Sequence, residues 1–518
     1  MTTQAAVELI GLSKTFGDVV ANADIHLRVA PGTIHAVIGE NGAGKSTAMK
    51  MLYGIYRPDG GEIRIGGEAV RWSSPMDAIA RGIGMVHQHF MLADPLDAVD
   101  NIVVGAEPAR AGRGWLPSWF RPVDRQGARA KLRKLAGDYG LSIDFDRPVE
   151  ELPVGVQQRI EIIKMLYRDA RILILDEPTA VLTPQETGEL FAQLRKLRDE
   201  GRTVIIITHK LKEVMAVADE VTVFRAGRVV GQVRTADTGV EKLAALMVGR
   251  HVRLTADAPA DTVPGEAVLE VRDLRCDSSL KGVDLSVRGG EIVGIAGVEG
   301  NGQSELLHAI FNQADTPGSG TIRILGRDVF SGGKALLDAA GIRRLGVGWI
   351  PADRHREALL LDRPVRENFL LGHHRDPDLA RGGRLDLGAI GGAVARAIEE
   401  FDVRPRDPEA RAGGLSGGNQ QKVVIARELH DSPRLIVAAQ PTRGVDVGAI
   451  EFIHGRLLAE RAKGAGVLLV SSELDEILAL SDRILVMYEG RIVAEFARGQ
   501  AGEQALGLAM GGAGGGRT

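Results

Sequence analysis

Ile34-His35-Ala36-Val37-Ile38, then Gly39-Glu40-Asn41-Gly42-Ala43-Gly44-Lys45-Ser46, then Thr47-Ala48-Met49-Lys50-Met51-Leu52, is the stretch that decides the fold class. The first run is a short apolar strand and the last reads as a helix, so the glycine loop between them sits where a strand turns into a helix. It satisfies G-x-x-x-x-G-K-[ST] in the structural context that motif requires. Glycines let backbone N–H groups close around phosphates at the helix N-terminus. Lys45 is placed to reach the β- and γ-phosphates, and the Ser46 hydroxyl to ligate Mg²⁺.

Further along, Arg171 to Leu175 and Thr203 to Ile207 are two more apolar runs followed by polar signals, the pattern of a buried parallel sheet. The first of them runs into Asp176 and Glu177. After a phosphate loop, a strand ending in two carboxylates has an expected use: Asp176 holds the metal, and Glu177 orients and polarises the attacking water.

The plan then repeats. Leu152-Pro153-Val154-Gly155, Asp176-Glu177-Pro178-Thr179 and Thr208-His209 recur 263 positions later as Leu415-Ser416-Gly417-Gly418, Ala439-Gln440-Pro441-Thr442 and Ser471-Ser472. The loop Gly39 to Thr47 recurs 258 positions later as Gly297 to Glu305. Glu291 to Ala296, Arg434 to Ala438 and Val467 to Val470 repeat the apolar strands. The expected organisation is a first α/β domain over 1–250, a Pro/Gly-containing linker over 251–266, a second α/β domain over 267–510 and a glycine-rich flexible tail over 511–518.

Composition narrows the functional classes. Of 518 residues, 64 Lys and Arg face 68 Asp and Glu, a formal charge of −4, so no global basic field points to nucleic acid. One cysteine, Cys276, supports neither an intrachain disulfide nor a cysteine-based zinc site. Met1 to Gly11 has no basic segment leading into an apolar one, and no window approaches ~18 uninterrupted apolar residues. Membrane association is therefore expected to come through a partner.

Several further elements resemble, in order, those of the ABC ATPase family. Gln88 in Val86-His87-Gln88-His89 resembles the Q-loop glutamine, which touches Mg²⁺ and signals to the membrane subunit. His209 in Ile207-Thr208-His209 resembles the switch histidine that contacts the γ-phosphate. Phe16 in Lys14-Thr15-Phe16-Gly17 resembles the aromatic that stacks on adenine. Leu415-Ser416-Gly417-Gly418-Asn419-Gln420 resembles the signature, whose Ser416, Gly417 and Gly418 grip a γ-phosphate presented by another domain. The resemblance implies ATP and Mg²⁺ as cofactors, and two tandem P-loop domains, each a mixed sheet core with a helical subdomain.

The halves depart from the family's pattern in complementary places. Gln303 replaces the loop lysine, Ala439 and Gln440 the two carboxylates, Ser472 the switch histidine and Ala352 the Q-loop glutamine. In the first half it is the signature that is eroded: Pro153 offers neither hydroxyl nor N–H, and Val154 puts a branched side chain where backbone approaches phosphate. Since the family binds ATP between one domain's loop and the other's signature, one complete site and one degenerate site are expected.

Gln157 to Ile162, Pro178 to Glu186, Asp353 to Arg356 and Ala439 to Ala449 resemble the fused ATPases of simple-sugar and nucleoside importers, the first two strings favouring nucleosides. That resemblance implies a peripheral subunit on the cytoplasmic face of the inner membrane. Its partners would be two transmembrane permeases and, indirectly, an extracytoplasmic substrate-binding protein. The rival reading is a soluble tandem ABC ATPase acting on ribosomes or DNA; the short linker, single cysteine and eroded second site count against it. A pure nucleotide sensor is hard to reconcile with Glu177 and His209 both being present.

Overall fold

The computed structural model describes residues 4–17, 19–87, 90–108, 123–179, 182, 184–250, 263–277, 279–298, 300–311, 318–381 and 383–512. The chain divides into two compact units, Met1–Val252 and Arg253–Thr518. Residues 251–262 of the expected linker and 513–518 of the expected tail lie outside the described residues.

In the first unit the strands separate into two sheets. Val7–Phe16, Val19–Val29, Gly60–Ile65 and Glu68–Val70 pair antiparallel. Val7, Leu9 and Leu12 are buried along the first of them, while Ile10 lies exposed between. The second sheet has the spatial order Arg228–Arg234, Glu220–Arg225, Ile34–Gly39, Thr203–Thr208, Ile172–Asp176, Ile83–Val86. All its strands are parallel except Arg228–Arg234, which returns antiparallel. Every residue of Ile34–Gly39, Ile172–Asp176 and Thr203–Thr208 is buried. Burial on both faces is why these strands read as unbroken apolar runs and do not alternate.

Val37, Ile174, Ile205 and Ile207 pack with Met49, Met51 and Leu52 of the helix Lys45–Leu52, which fixes that helix over the ends of the parallel strands. Between Ile83–Val86 and Ile172–Asp176 the chain forms the helices Ala98–Val103, Arg125–Asp138 and Val154–Tyr167. Asp97 and Asp124 cap the first two, each accepting a backbone N–H.

The second unit repeats this plan. Its five-stranded antiparallel sheet contains Ala267–Cys276, Leu280–Arg288 and Ser319–Ile324. Its six-stranded sheet runs Val347–Ile350, Leu435–Ala439, Gly466–Ser471, Ile292–Ala296, Arg483–Tyr488, Arg491–Ala497. The helices Val365–Phe369, Leu387–Glu400 and Gly417–Leu429 occupy the corresponding insertion.

Two element boundaries differ from the sequence-based expectations. The loop helix begins at Lys45, two residues before Thr47, because Gly44 at φ 93° supplies the left-handed turn that starts it. The carboxylate strand extends through Asp176, which stays hydrogen-bonded within the sheet. No described helix is long and apolar enough to cross a membrane.

Candidate functional site

The strand Ile34–Gly39 delivers the glycine loop to the C-terminal edge of the parallel sheet, where ligands collect in open α/β folds. A Cβ on Gly44 would lie 2.4 Å from the Ala21 carbonyl oxygen and 2.5 Å from Asn22 Nδ2, so only glycine fits there. At Gly42 (φ 80°) nothing lies within 4 Å of the same construction, leaving that side of the loop open. Lys45 is folded back into the loop, its Nζ donating to the carbonyls of Gly39 (2.7 Å) and Glu40 (2.9 Å). Burial lowers its pKa, opposed by the charges of Glu177, Asp176 and Glu40. Carbonyl partners do not neutralise the ammonium, which remains the cation of the site.

Ser46 and Asp176 are 130 residues apart in sequence, yet Ser46 Oγ donates to Asp176 Oδ1 at 3.3 Å. Burial raises the Asp176 pKa, with the Ser46 hydrogen bond pulling the other way. A hydroxyl and a carboxylate converging beside a phosphate loop are hard oxygen donors, the set that suits Mg²⁺. One residue on, Glu177 adopts φ 48°, a left-handed conformation uncommon outside glycine, while its N–H still bonds the Ile207 carbonyl at 2.9 Å. That turn brings its carboxylate to His209, whose Nδ1 lies 3.0 Å from Glu177 Oε1. The His209 hydrogen bond is the main cause of a lowered Glu177 pKa, so the carboxylate is held ionised.

Phe16 ends its strand 42% exposed, edge-on to Tyr56 with ring centroids 5.1 Å apart and Lys14 Nζ 5.5 Å from its own ring. An aromatic face left in solvent, buttressed by another ring, can receive a planar base. Gln88 lies outside the described residues.

The second unit carries the same scaffold with the charges removed. Gln303 takes the place of Lys45, its Nε2 donating to the Val298 carbonyl at 3.0 Å. Gln440 repeats the left-handed turn at φ 47°, its N–H bonding the Val470 carbonyl at 2.7 Å. Its Oε1 accepts from Ser472 Oγ at 3.2 Å, an uncharged copy of the Glu177–His209 pair. The signature turns differ in the opposite sense. Ser416 caps Gly417–Leu429, its Oγ accepting from the Asn419 N–H and from Asn419 Nδ2 at 2.9 Å. The helix Val154–Tyr167 begins at Pro153 with no side-chain cap.

A family model described as "ABC transporter" matches residues 23–180 and again 280–443. The chain belongs to the ABC transporter family. Within that family it is an ATPase subunit of the importing kind and binds ATP. It is 46% identical over 511 residues to a guanosine import ATP-binding protein of Bacillus subtilis, covering 98% of this chain and 97% of that one. It is 43% identical to a nucleoside import ATP-binding protein of Lactococcus lactis, covering 98% and 99%. A glucose import ATP-binding protein of Haloferax volcanii is 46% identical over 541 residues, covering 99% and 97%.

For this ABC transporter ATPase, sequence reasoning did not name the side chains that support the candidate site. Tyr56, which braces Phe16, belongs to no motif. In the second unit Cys276 opposes Leu280 as Lys14 opposes Asn22, and its hairpin turns within the next few residues, so the outer part of the first hairpin, where Phe16 opposes Val19, has no counterpart. That unit has therefore lost its aromatic platform as well as its charges, a change visible in sequence only once the two hairpins are aligned. Cys276 is a half-buried cysteine in no disulfide.

Proposed function

We propose that this chain hydrolyses ATP at the first unit's loop to drive nucleoside import through two membrane permeases, on the cytoplasmic face of the inner membrane. The observation that carries the reading is the convergence of Lys45, the Ser46–Asp176 pair and the Glu177–His209 pair at one sheet edge, each pair joined across the sheet. Phe16 stacks on the adenine. The N–H groups of Gly39 to Thr47 and the Lys45 ammonium bind the phosphates. Ser46, Asp176 and Gln88 would hold Mg²⁺, which would supply neutralisation of phosphate charge. Glu177 orients the water whose oxygen bonds to the γ-phosphorus as the bond to the ADP oxygen breaks, and His209 contacts the departing phosphate.

In this reading 1–250 is the catalytic cassette and 267–510 its partner, and Ser416, Gly417 and Gly418 of the partner complete the phosphate cage. The loss of charge at Gln303, Ala439, Gln440 and Ser472, matched to the loss of donors at Pro153, supports one productive site and one degenerate site. The segment after Gln88 up to about Glu150 is the docking surface for the permease. Within this segment Met91 and Val104 are 64% and 54% exposed. An extracytoplasmic receptor would deliver the solute without touching this chain, and no nucleic acid is involved.

The nucleoside assignment rests on the strings Gln157 to Ile162 and Ala180 to Glu186 and on the guanosine and nucleoside relatives; the glucose relative makes a hexose the competing solute. Uptake of labelled nucleosides, pentoses and hexoses in cells lacking this subunit, complemented with the native chain or with Lys45→Ala, tests it. Nucleoside uptake restored only by the native chain is expected; restoration of sugar uptake alone would overturn the solute assignment.

A further inference from the structure

Ala352 stands where the first unit has Gln88, and the residues after it, Asp353-Arg354-His355, turn back toward the signature helix. Arg354 Nη1 donates to the Arg443 carbonyl at 2.8 Å, and its Nε to Gln420 Oε1 at 3.3 Å. His355 Nε2 reaches the same Gln420 oxygen at 2.8 Å, while Gln420 Nε2 donates to the Ala412 carbonyl at 3.1 Å. The guanidinium also lies against the signature turn itself. A Cβ on Gly417 would be 2.9 Å from Arg354 Nη2 and 2.9 Å from the Gly444 carbonyl oxygen, so the bare glycine is what lets all three meet.

The arrangement belongs to one unit only. In the first unit Phe90 stands four residues past its strand, as Arg354 does past Val347–Ile350, and cannot form such a fork. There Gln157, the counterpart of Gln420, donates to the carbonyls of Val149 and Leu152, and the turn it supports is the eroded one at Pro153. The fork thus accompanies the signature that keeps its serine and glycines. A planar guanidinium spanning two fixed acceptors on different segments holds them at a set spacing, which a flexible ammonium does not.

We infer that Arg354 is a positioning residue for ATP hydrolysis, fixing the Ser416–Gly418 turn to the Arg443–Gly444 segment so that the turn is pre-set to receive a γ-phosphate. This rests on the reading that Ser416 serves the hydrolytic site. Arg354 acts through the turn, so its loss should slow turnover without weakening the adenine and β-phosphate contacts that dominate ATP affinity.

The test is steady-state ATPase of the full chain assembled with its permeases, with ATP titrated, for Arg354→Gln, Arg354→Lys, Ser416→Ala and Arg354→Gln combined with Ser416→Ala. Arg354→Gln should lower kcat about tenfold or more, as misplacement of a supporting group does, with KM for ATP within about twofold. Arg354→Lys should recover little of it, because an ammonium cannot bridge Gln420 and Arg443 together. The double variant should be no slower than Ser416→Ala alone, since both act at one turn. Losses that multiply in the double variant, full activity in Arg354→Lys, or a normal kcat in Arg354→Gln beside a slow Ser416→Ala would each overturn the assignment. A normal rate in Ser416→Ala would instead overturn the underlying reading of the signature. Arg354→Lys retains the charge and the length of the stem, so it keeps the test decisive should the glutamine variant fold poorly.

Discussion

Replacing Glu177 with glutamine separates chemistry from structure more cleanly than any other change, because the protein already contains the control. Gln440 occupies the matching position of the second unit, at φ 47° against 48° for Glu177, with the same backbone bond to the neighbouring strand. Its amide is accommodated there by Ser472. Glu177→Gln should therefore fold normally and keep its hydrogen bond to His209 through the amide. What it loses is the negative charge that His209 helps to hold ionised. Loss of a general base or its equivalent costs about 10²-fold or more, roughly 2.7 kcal/mol of barrier. The assay is phosphate release by the assembled transporter, with ATP binding measured on the same preparation. Turnover at least about 10²-fold down with unchanged ATP affinity is expected. Turnover within about threefold of the native chain would remove Glu177 from the hydrolytic step and with it the first unit's claim to be the engine.

Three other outcomes follow from the same geometry. Ser416→Ala should slow hydrolysis strongly, while Pro153→Ala, with no donor to lose, and Gln303→Ala, in the loop that lacks the lysine, should keep most of it; steady-state ATPase showing the reverse order would invert the assignment of sites. Gly44→Ala forces a Cβ into the Ala21 carbonyl at φ 93° and should cost on the order of 1–3 kcal/mol together with ATP binding, measured by denaturant unfolding and nucleotide titration. His35 is buried in the loop strand, hydrogen-bonded to Thr222, and burial lowers its pKa from 6.5 to about 4. Between those values the unfolded chain binds the proton and the native one does not, so native stability falls as pH drops through that window. His35→Gln should flatten that part of the stability profile by up to roughly 3 kcal/mol, and an unchanged slope in denaturant melts would refute the buried neutral state.

The parts of this protein legible in the sequence are those whose chemistry is contiguous. The glycine loop, its lysine and serine, and the strand ending at Asp176 and Glu177 each declare themselves because a tight phosphate-binding turn or a doubly covered strand needs those residue types in an unbroken run. The duplication is legible for the same reason: motifs at a constant spacing survive in the linear order. Boundaries were less legible. Where the loop helix starts depends on the conformation of Gly44, which hydrophobic pattern does not encode.

Tertiary structure alone decided which distant groups meet. Ser46 finds Asp176 across 130 residues, and Glu177 finds His209 only because two neighbouring parallel strands end at one level. That Glu177 and Gln440 share a left-handed backbone, that Tyr56 braces Phe16, and that the second unit's shorter hairpin has no counterpart of Phe16 are facts of packing and register. The fork of Arg354 at Gly417 is another, since its acceptors lie 66 and 89 residues away. Sequence motifs fix which atoms a segment brings with it; the register of the sheet and the close approach of bare glycine backbone fix what those atoms touch.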